Sequence, residues 1–182
     1  MKKIVLTAII AVASFGFYAQ ENASFDKYED NNDVTTVVVT KQAFLLLKKV
    51  TAETKEAQEY KRLVSGLNEL KVFTTENSKV GLEMKNTFDT YVKNKKLVEL
   101  MRVKDKEANV KIYIKQGKDE NYVNEFLMLV DGLNLSADKF NGKMKPELVV
   151  VTLTGEINLN DIAKITSEMN IPGSEHVKDV KK

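Results

Sequence analysis

The sequence predicts an α+β fold. In it, a single domain is built on a mixed, mainly antiparallel sheet of about six strands, with helices packed mostly on one face. Three observations predict it. In the first half of the chain, apolar spacings of three and four alternate with runs rich in β-branched residues. Four strand-like segments then follow one another between residues 97 and 154, as in an antiparallel meander. A last helical stripe closes the body. The alternative arrangement is a helix on each face of a split sheet.

The elements follow in order. Residues 21–33 are polar apart from Phe25 and Tyr28 and form an arm or a single helical turn, broken by Asp30-Asn31-Asn32-Asp33. Val34–Thr40 is dense in valine and threonine, a strand signature. Lys41–Val50 switches to helical spacing with Ala43, Leu46, Leu47 and Val50 on one stripe. Thr54–Leu67 continues with Ala57, Tyr60, Val64 and Leu67, and Ser65-Gly66 is a plausible stop. Leu70–Thr75 is a second strand. Asn77 or Ser78 caps a third helix whose stripe is Val80, Met84, Phe88 and Tyr91. The four later strands are Leu97–Lys104, Val110–Lys115, Tyr122–Val130 and Leu148–Thr154. In the second of these, Val110, Ile112 and Ile114 alternate with Lys111, Tyr113 and Lys115, which gives one buried and one wet face. Phe126–Val130 and Leu148–Val151 are apolar on both faces, so those strands are expected to be central. Residues 104–109 and 116–121 read as hairpin turns, and 131–146 as a longer loop. The last helix runs over Asn158–Met169, with Asn158 as cap and Leu159, Ile162, Ile165 and Met169 inward. Asn170-Ile171-Pro172-Gly173 ends it.

The amino terminus carries an address. Lys2 and Lys3 precede a run from Ile4 to Phe17 that is almost wholly apolar or small, and Tyr18-Ala19-Gln20 closes the segment before Glu21. This is the pattern of a secretory signal peptide, cut between Ala19 and Gln20. Bulky Phe17 leaves Gly16 or Gln20 as alternative positions for the cut. The run is short for a spanning helix, which wants about 20 apolar residues, and no basic stop-transfer cluster follows; an uncleaved anchor is the alternative. The expected organisation is a signal peptide over 1–19, an N-terminal arm over 20–33, one α+β domain over 34–172 and a flexible tail over 173–182. The expected location is therefore outside the cytoplasm, periplasmic or secreted.

Composition narrows the rest. The chain is 43% hydrophobic and 30% charged, values of a folded globular protein. A body of this length buries roughly 70% of its unfolded surface and needs no staples. With no cysteine, neither a disulfide nor a lipidated N-terminal Cys is possible. The 28 basic and 26 acidic residues come into balance once Lys2 and Lys3 are removed. A neutral body lacks the basic footprint of a nucleic-acid binder, so no nucleic-acid partner is expected. The lysine clusters Lys93, Lys95, Lys96 and Lys178, Lys181, Lys182 read as solvated helix ends and tail.

Four stretches, taken together, carry a family likeness. They are Phe25-Asp26-Lys27-Tyr28 with its acidic turn; Val34 through Leu47; Met101 to Asp105 leading to Val110 to Ile114; and Leu153-Thr154-Gly155 through Asn170-Ile171-Pro172-Gly173. In order and spacing the chain resembles an uncharacterised family of small exported Bacteroidetes proteins, domain-of-unknown-function family 4252, over nearly all of the body. The resemblance implies an exported single-domain envelope protein. The family defines no catalytic residues, so none carry over.

The residues themselves point away from catalysis. Nucleophilic catalysis needs an activated side chain beside a base. The one histidine, His176, sits in the tail, and Ser65, Ser136 and Ser167 lie in no recognisable Ser–Lys motif. One histidine and no cysteine cannot furnish a zinc site. Asp26, Glu29, Asp30 and Asp33 offer oxygens for calcium but lack the EF-hand glycine and terminal Glu, and read as a charged turn. Asp138 with Asn141-Gly142 is a weaker cluster of the same kind. Gly142 and Gly155 stand alone, so there is no phosphate loop. Tyr113 and Tyr122 with nearby lysines read as a wet sheet face rather than an RNA stacking platform. Met84, Met101, Met128 and Met169 read as core. The expectation is a non-enzymatic accessory or regulatory module of the cell envelope, without a cofactor or, after processing, a transmembrane anchor. It would meet an envelope protein partner through a strand edge or the 131–146 loop. The alternative is a small-molecule or lipid binder with a pocket between sheet and helices lined by Phe88, Tyr91, Phe126 and Met128.

Overall fold

The computed structural model describes residues 25–50, 54–104, 109–132 and 146–168. A 3-10 turn at Asp26–Tyr28 is followed by β1 (Thr35–Thr40), α1 (Lys41–Val50), α2 (Lys55–Val64), β2 (Leu67–Thr75) and α3 (Ser78–Lys95). The chain continues with β3 (Val98–Lys104), β4 (Asn109–Gln116), β5 (Tyr122–Asp131), β6 (Leu148–Asn158) and α4 (Leu159–Glu168). The strands form one six-stranded sheet in the order β1-β2-β6-β5-β4-β3. Every neighbouring pair is antiparallel, so the sheet is not mixed. The reason is topological. Helix α3 carries the chain from β2 to the far edge, where β3 runs in the same direction as β2 without touching it. Three successive reversals then return β6 beside β2 in the opposite sense.

The expected central pair, β5 and β6, occupies the middle of the sheet. Side chains alternate along both strands, so each feeds two cores. Phe126, Met128, Val130, Val149, Val151 and Leu153 join Phe44 of α1, Leu63 and Val64 of α2, and Ile162 and Ile165 of α4. Leu127, Leu129, Leu148 and Val150 join Met84 and Phe88 of α3, with Phe25 and Tyr28. Three of the four helices thus share one face, and α3 with the 3-10 turn covers the other.

Local chemistry sets the helix ends. The Thr54 side chain accepts from the Ala57 amide at 3.2 Å and starts α2. Asn77 Oδ1 accepts from the Lys79 and Val80 amides at 3.0 and 3.3 Å and starts α3, which closes at Lys96 in the left-handed region. Asn158 Oδ1 accepts from the Asn160 amide at 2.9 Å at the head of α4. The expected stripe of α3 is met: Met84 and Phe88 are buried, with Val80 and Tyr91 packed against the same core.

Several expectations change. Helix α2 ends at Val64, and Leu67 opens β2 opposite Gly155 instead of extending the helical stripe. Gly66 is responsible: its carbonyl accepts from the Glu156 amide at 2.8 Å, a main-chain approach that a Cβ on either Gly66 or Gly155 would block. In α1 the buried residue is Phe44, 1% exposed, while Leu46 of the expected stripe is 61% exposed. An apolar run of five residues offers several helical faces, and the largest ring takes the core. The side chains of Leu47 and Val50 lie outside the described ones. Finally, residues 26–28 form the single helical turn, one of the two readings of that segment, and Phe25 and Tyr28 are 4% and 1% exposed, so the folded body begins before residue 34. Phe25 packs on Phe73 and Tyr91 with ring centroids 5.8 and 5.2 Å away, and Tyr28 shares a 2.8 Å hydrogen bond with Thr87.

Strand β6 also outruns its expected end at Thr154, continuing to Asn158 through Gly155 at φ 139°. The ladders on both sides of β6 shift register near that glycine. Gly155→Ala should therefore cost about 3 kcal/mol or more, since it combines a strained backbone with a main-chain clash. Gly132→Ala, at φ 71° and, among the described residues, with the Asn109 side-chain amide as its near neighbour, should cost about 1–2 kcal/mol. Urea denaturation of both variants checks the order, and equal costs would refute the close-approach account.

Candidate functional site

The sheet has two edges, and they differ in chemistry. Edge strand β3 is guarded. Its sequence VELMRVK carries Glu99, Arg102 and Lys104, and its ladder to β4 shifts register between Glu99 and Met101. Arg102 is bound to Glu99 at 2.5 Å. Charges and bulges of this kind discourage a further strand from adding. Edge strand β1 has none of them. Its sequence TTVVVT is uncharged, and it pairs with β2 over six consecutive residues without a bulge. Successive valines point to opposite faces, yet Val37 is 49% and Val38 41% exposed. The helix layers therefore cover this strand only in part, with Val39 packed against the core of α1, α2 and α4. Helix α1 follows β1 without an intervening residue and leaves Leu45 exposed beside Leu46.

The exposed strand is tied to the body at both ends. At its start, the Thr36 hydroxyl donates to the Tyr28 carbonyl at 3.4 Å. The turn that supplies Tyr28 is clamped by Lys71 of β2, whose ammonium lies 2.8 Å from Asp26, 2.8 Å from Glu29 and 3.5 Å from Glu69. At its end, Phe44 anchors α1 in the core. Two of the four acids that composition offered to calcium are thus engaged by an ammonium. A third, Asp33, accepts from the Asn77 amide group at 3.3 Å. Among the described residues, no group of three or more His, Cys, Asp or Glu is placed to hold a metal ion.

The other candidates are scattered. Phe88 and Tyr91 belong to the α3 side of the sheet, whereas Phe126 and Met128 face α1, α2 and α4. These four cannot line one pocket, because the sheet lies between the pairs. Tyr91 instead donates to buried Glu125 at 2.5 Å. Burial, and then this hydrogen bond, push its phenol well above the ordinary tyrosine value. Tyr113 donates to Glu99 at 2.9 Å and meets Phe88 edge-on, whereas Tyr122 lies under the Lys118 ammonium at 4.0 Å, so the two rings form no shared platform. Ser65 donates to the Lys61 carbonyl at 2.6 Å. Lys93, Lys95 and Lys96 close the C-terminal end of α3, where its dipole favours cations. Met84 and Met128 are core, as expected. Ala19, Gln20, Ser136, Asp138, Asn141, Gly142, Met169, His176, Lys178, Lys181 and Lys182 lie outside the described residues, as does the side chain of Ser167.

One cleft, about 550 Å³, opens where α2 and α4 meet the ends of β5 and β6, between Arg62, Ser65, Tyr122, Glu156 and Asp161. Its charged rim is paired internally. The Arg62 guanidinium forks onto Asp161 at 2.6 and 2.9 Å, and Lys118 binds Glu156 at 2.7 Å. Sequence reading did not anticipate the cleft, because Arg62 and Asp161 are far apart in the chain and on different helices. The uncharged edge, by contrast, was open to view in the TTVVVT run.

These observations define a single-domain α+β protein with one guarded and one open sheet edge. The family model described as "Domain of unknown function (DUF4252)" matches residues 28–165, and the chain belongs to that family. No curated protein and no solved structure matches it.

The Lys71 clamp has a pH signature. Burial alone would lower the ammonium pKa, but hydrogen bonds to Asp26 and Glu29 outweigh it and raise it above the ordinary lysine value. A raised pKa stabilises the fold fully below the unfolded value, near ~10.4, and the contribution is lost as pH rises above it. Tyr91 acts with the same sign from near ~10. Lys71→Met should therefore lower stability by about 1 kcal/mol at neutral pH and flatten part of the alkaline decline. Denaturation at a series of pH values checks this, and an unchanged alkaline limb would refute it.

Proposed function

We propose that this protein is an exported, non-enzymatic interaction module of the cell envelope, with the β1 edge as its docking element. The ligand class is an extended, uncharged polypeptide strand, held by main-chain hydrogen bonds to the free side of β1, with Val37 and Val38 contacting it on either face. The observation that carries the reading is the contrast between edges: β3 bears charges and a bulge, and β1 bears neither. Such an edge is a hazard unless it is used. Export is supported by Lys2, Lys3 and the short apolar run that follows. Among the described residues no helix is long and apolar enough to cross a membrane. A non-catalytic role is supported by the lack of cysteine and by a single histidine, His176, in the terminal segment.

Capture from envelope fractions tests the reading. Tagged protein should retain specific proteins, and Val37→Lys, which places a charge on the edge opposite uncharged Val72, should lose them while melting at a similar temperature. Retention of the same set by both would contradict a docking role for β1.

A further inference from the structure

We propose that the strand received by the β1 edge is β1 of a second copy, the two pairing antiparallel about Val38 so that two six-stranded sheets run on as one; this rests on the reading of β1 as a docking element. The strand is self-complementary. From Thr36 to Thr40 it reads Thr-Val-Val-Val-Thr in either direction. A symmetric contact requires one patch to match itself. A two-fold axis at Val38 sets Val38 opposite Val38 of the second copy, Val37 opposite Val39 and Thr36 opposite Thr40. Each pairing is therefore β-branched with β-branched, and no like charges face each other across it, the case that would oppose pairing. Thr35 would face Lys41, where β1 gives way to α1 and pairing ends.

The surroundings fit this occupant. Val37 and Val38, exposed on opposite faces, would both be covered by the added strand. The edge is unbulged and held at both ends, so little ordering is needed on binding. Assembly stops at two copies, because the remaining edge of each sheet is the charged, bulged β3.

Sedimentation of protein purified from cells expressing the full chain tests this, with charge reversal at the axis as the decisive arm. The wild type should sediment at twice the monomer mass. Val38→Lys and Val38→Glu should each be monomeric, because like charges then meet at the axis. Mixing the two should restore the doubled mass, because opposite charges then face each other. Circular dichroism melting confirms that each variant folds; if one does not, Val37→Lys, on the opposite face of the same edge, must shift the wild-type dimer to monomer. A wild type that stays monomeric at high concentration overturns the inference. If edge-dependent capture from envelope fractions still occurs in that case, the docking reading survives with a different protein in the edge. Dimers that persist in both position-38 variants overturn it by placing the contact elsewhere. A mixture that stays monomeric overturns the Val38 register.

Discussion

The central pair of strands governs the rest of the structure. Along β6, Leu148, Val150 and Val149, Val151 alternate between two cores, and β5 does the same with Leu127, Leu129 and Phe126, Met128. Burying such a side chain stabilises by roughly 1.5–3 kcal/mol, and leaving either face wet would forfeit that for half of each strand. Both faces therefore need cover. Helices α1, α2 and α4 supply it on one side. On the other, α3 crosses the sheet and the turn carrying Phe25 and Tyr28 fills in beside it. The crossover also explains why no two strands run parallel as neighbours: α3 delivers β3 to the far edge, and the meander returns.

Covering both faces leaves the margins as the places where the sheet is open. A sheet sandwiched between helices offers unpaired main-chain groups only at its edges. At one edge, Glu99, Arg102, Lys104 and a register shift discourage addition. At the other, six uncharged residues run without a bulge, and Val37 and Val38 are exposed on opposite faces. The energetic investment around β1 goes into holding it still. Lys71 gathers Asp26, Glu29 and Glu69 around its half-buried ammonium, which pins the turn that meets Thr36, and Phe44 fixes the helix that follows. A pre-ordered edge binds a strand without first being ordered, which favours affinity. The cleft between Arg62 and Asp161 lacks this character, because its charged groups already satisfy one another.

Much of this was legible in the residues. The central strands announced themselves as apolar on both faces, Lys41–Val50 was delimited at both ends, and Asn77 and Asn158 were identifiable as caps because a short side-chain acceptor stands just before a periodic run. What could not be read was which side of the sheet each helix takes, since periodicity gives the width of an apolar face and not its destination. That is why Phe88 and Tyr91 were grouped with Phe126 and Met128, although the sheet separates them. The face of α1 was likewise undecidable within Ala43 to Leu47, where consecutive apolar residues blur the stripe. Phe25 and Tyr28 looked like isolated apolar residues in a polar arm because their partners, Phe73, Tyr91 and Thr87, are distant in sequence. Gly66 was correctly read as a stop, but its tight approach to β6 depends on Gly155, which looked like a lone glycine.

The central claim is that a doubly buried strand pair holds the sheet and that, among the described residues, β1 is its open margin. Amide hydrogen exchange, compared between dilute and concentrated protein, tests it most directly. Amides of β5 and β6 should exchange most slowly at both concentrations. Those of β1 should gain protection as concentration rises, and those of β3 should not. Exchange in β5 and β6 as fast as at the edges, or β1 amides as protected as those of β5 and β6 in dilute protein, would contradict the account; β1 amides indifferent to concentration would overturn only the pairing of two copies.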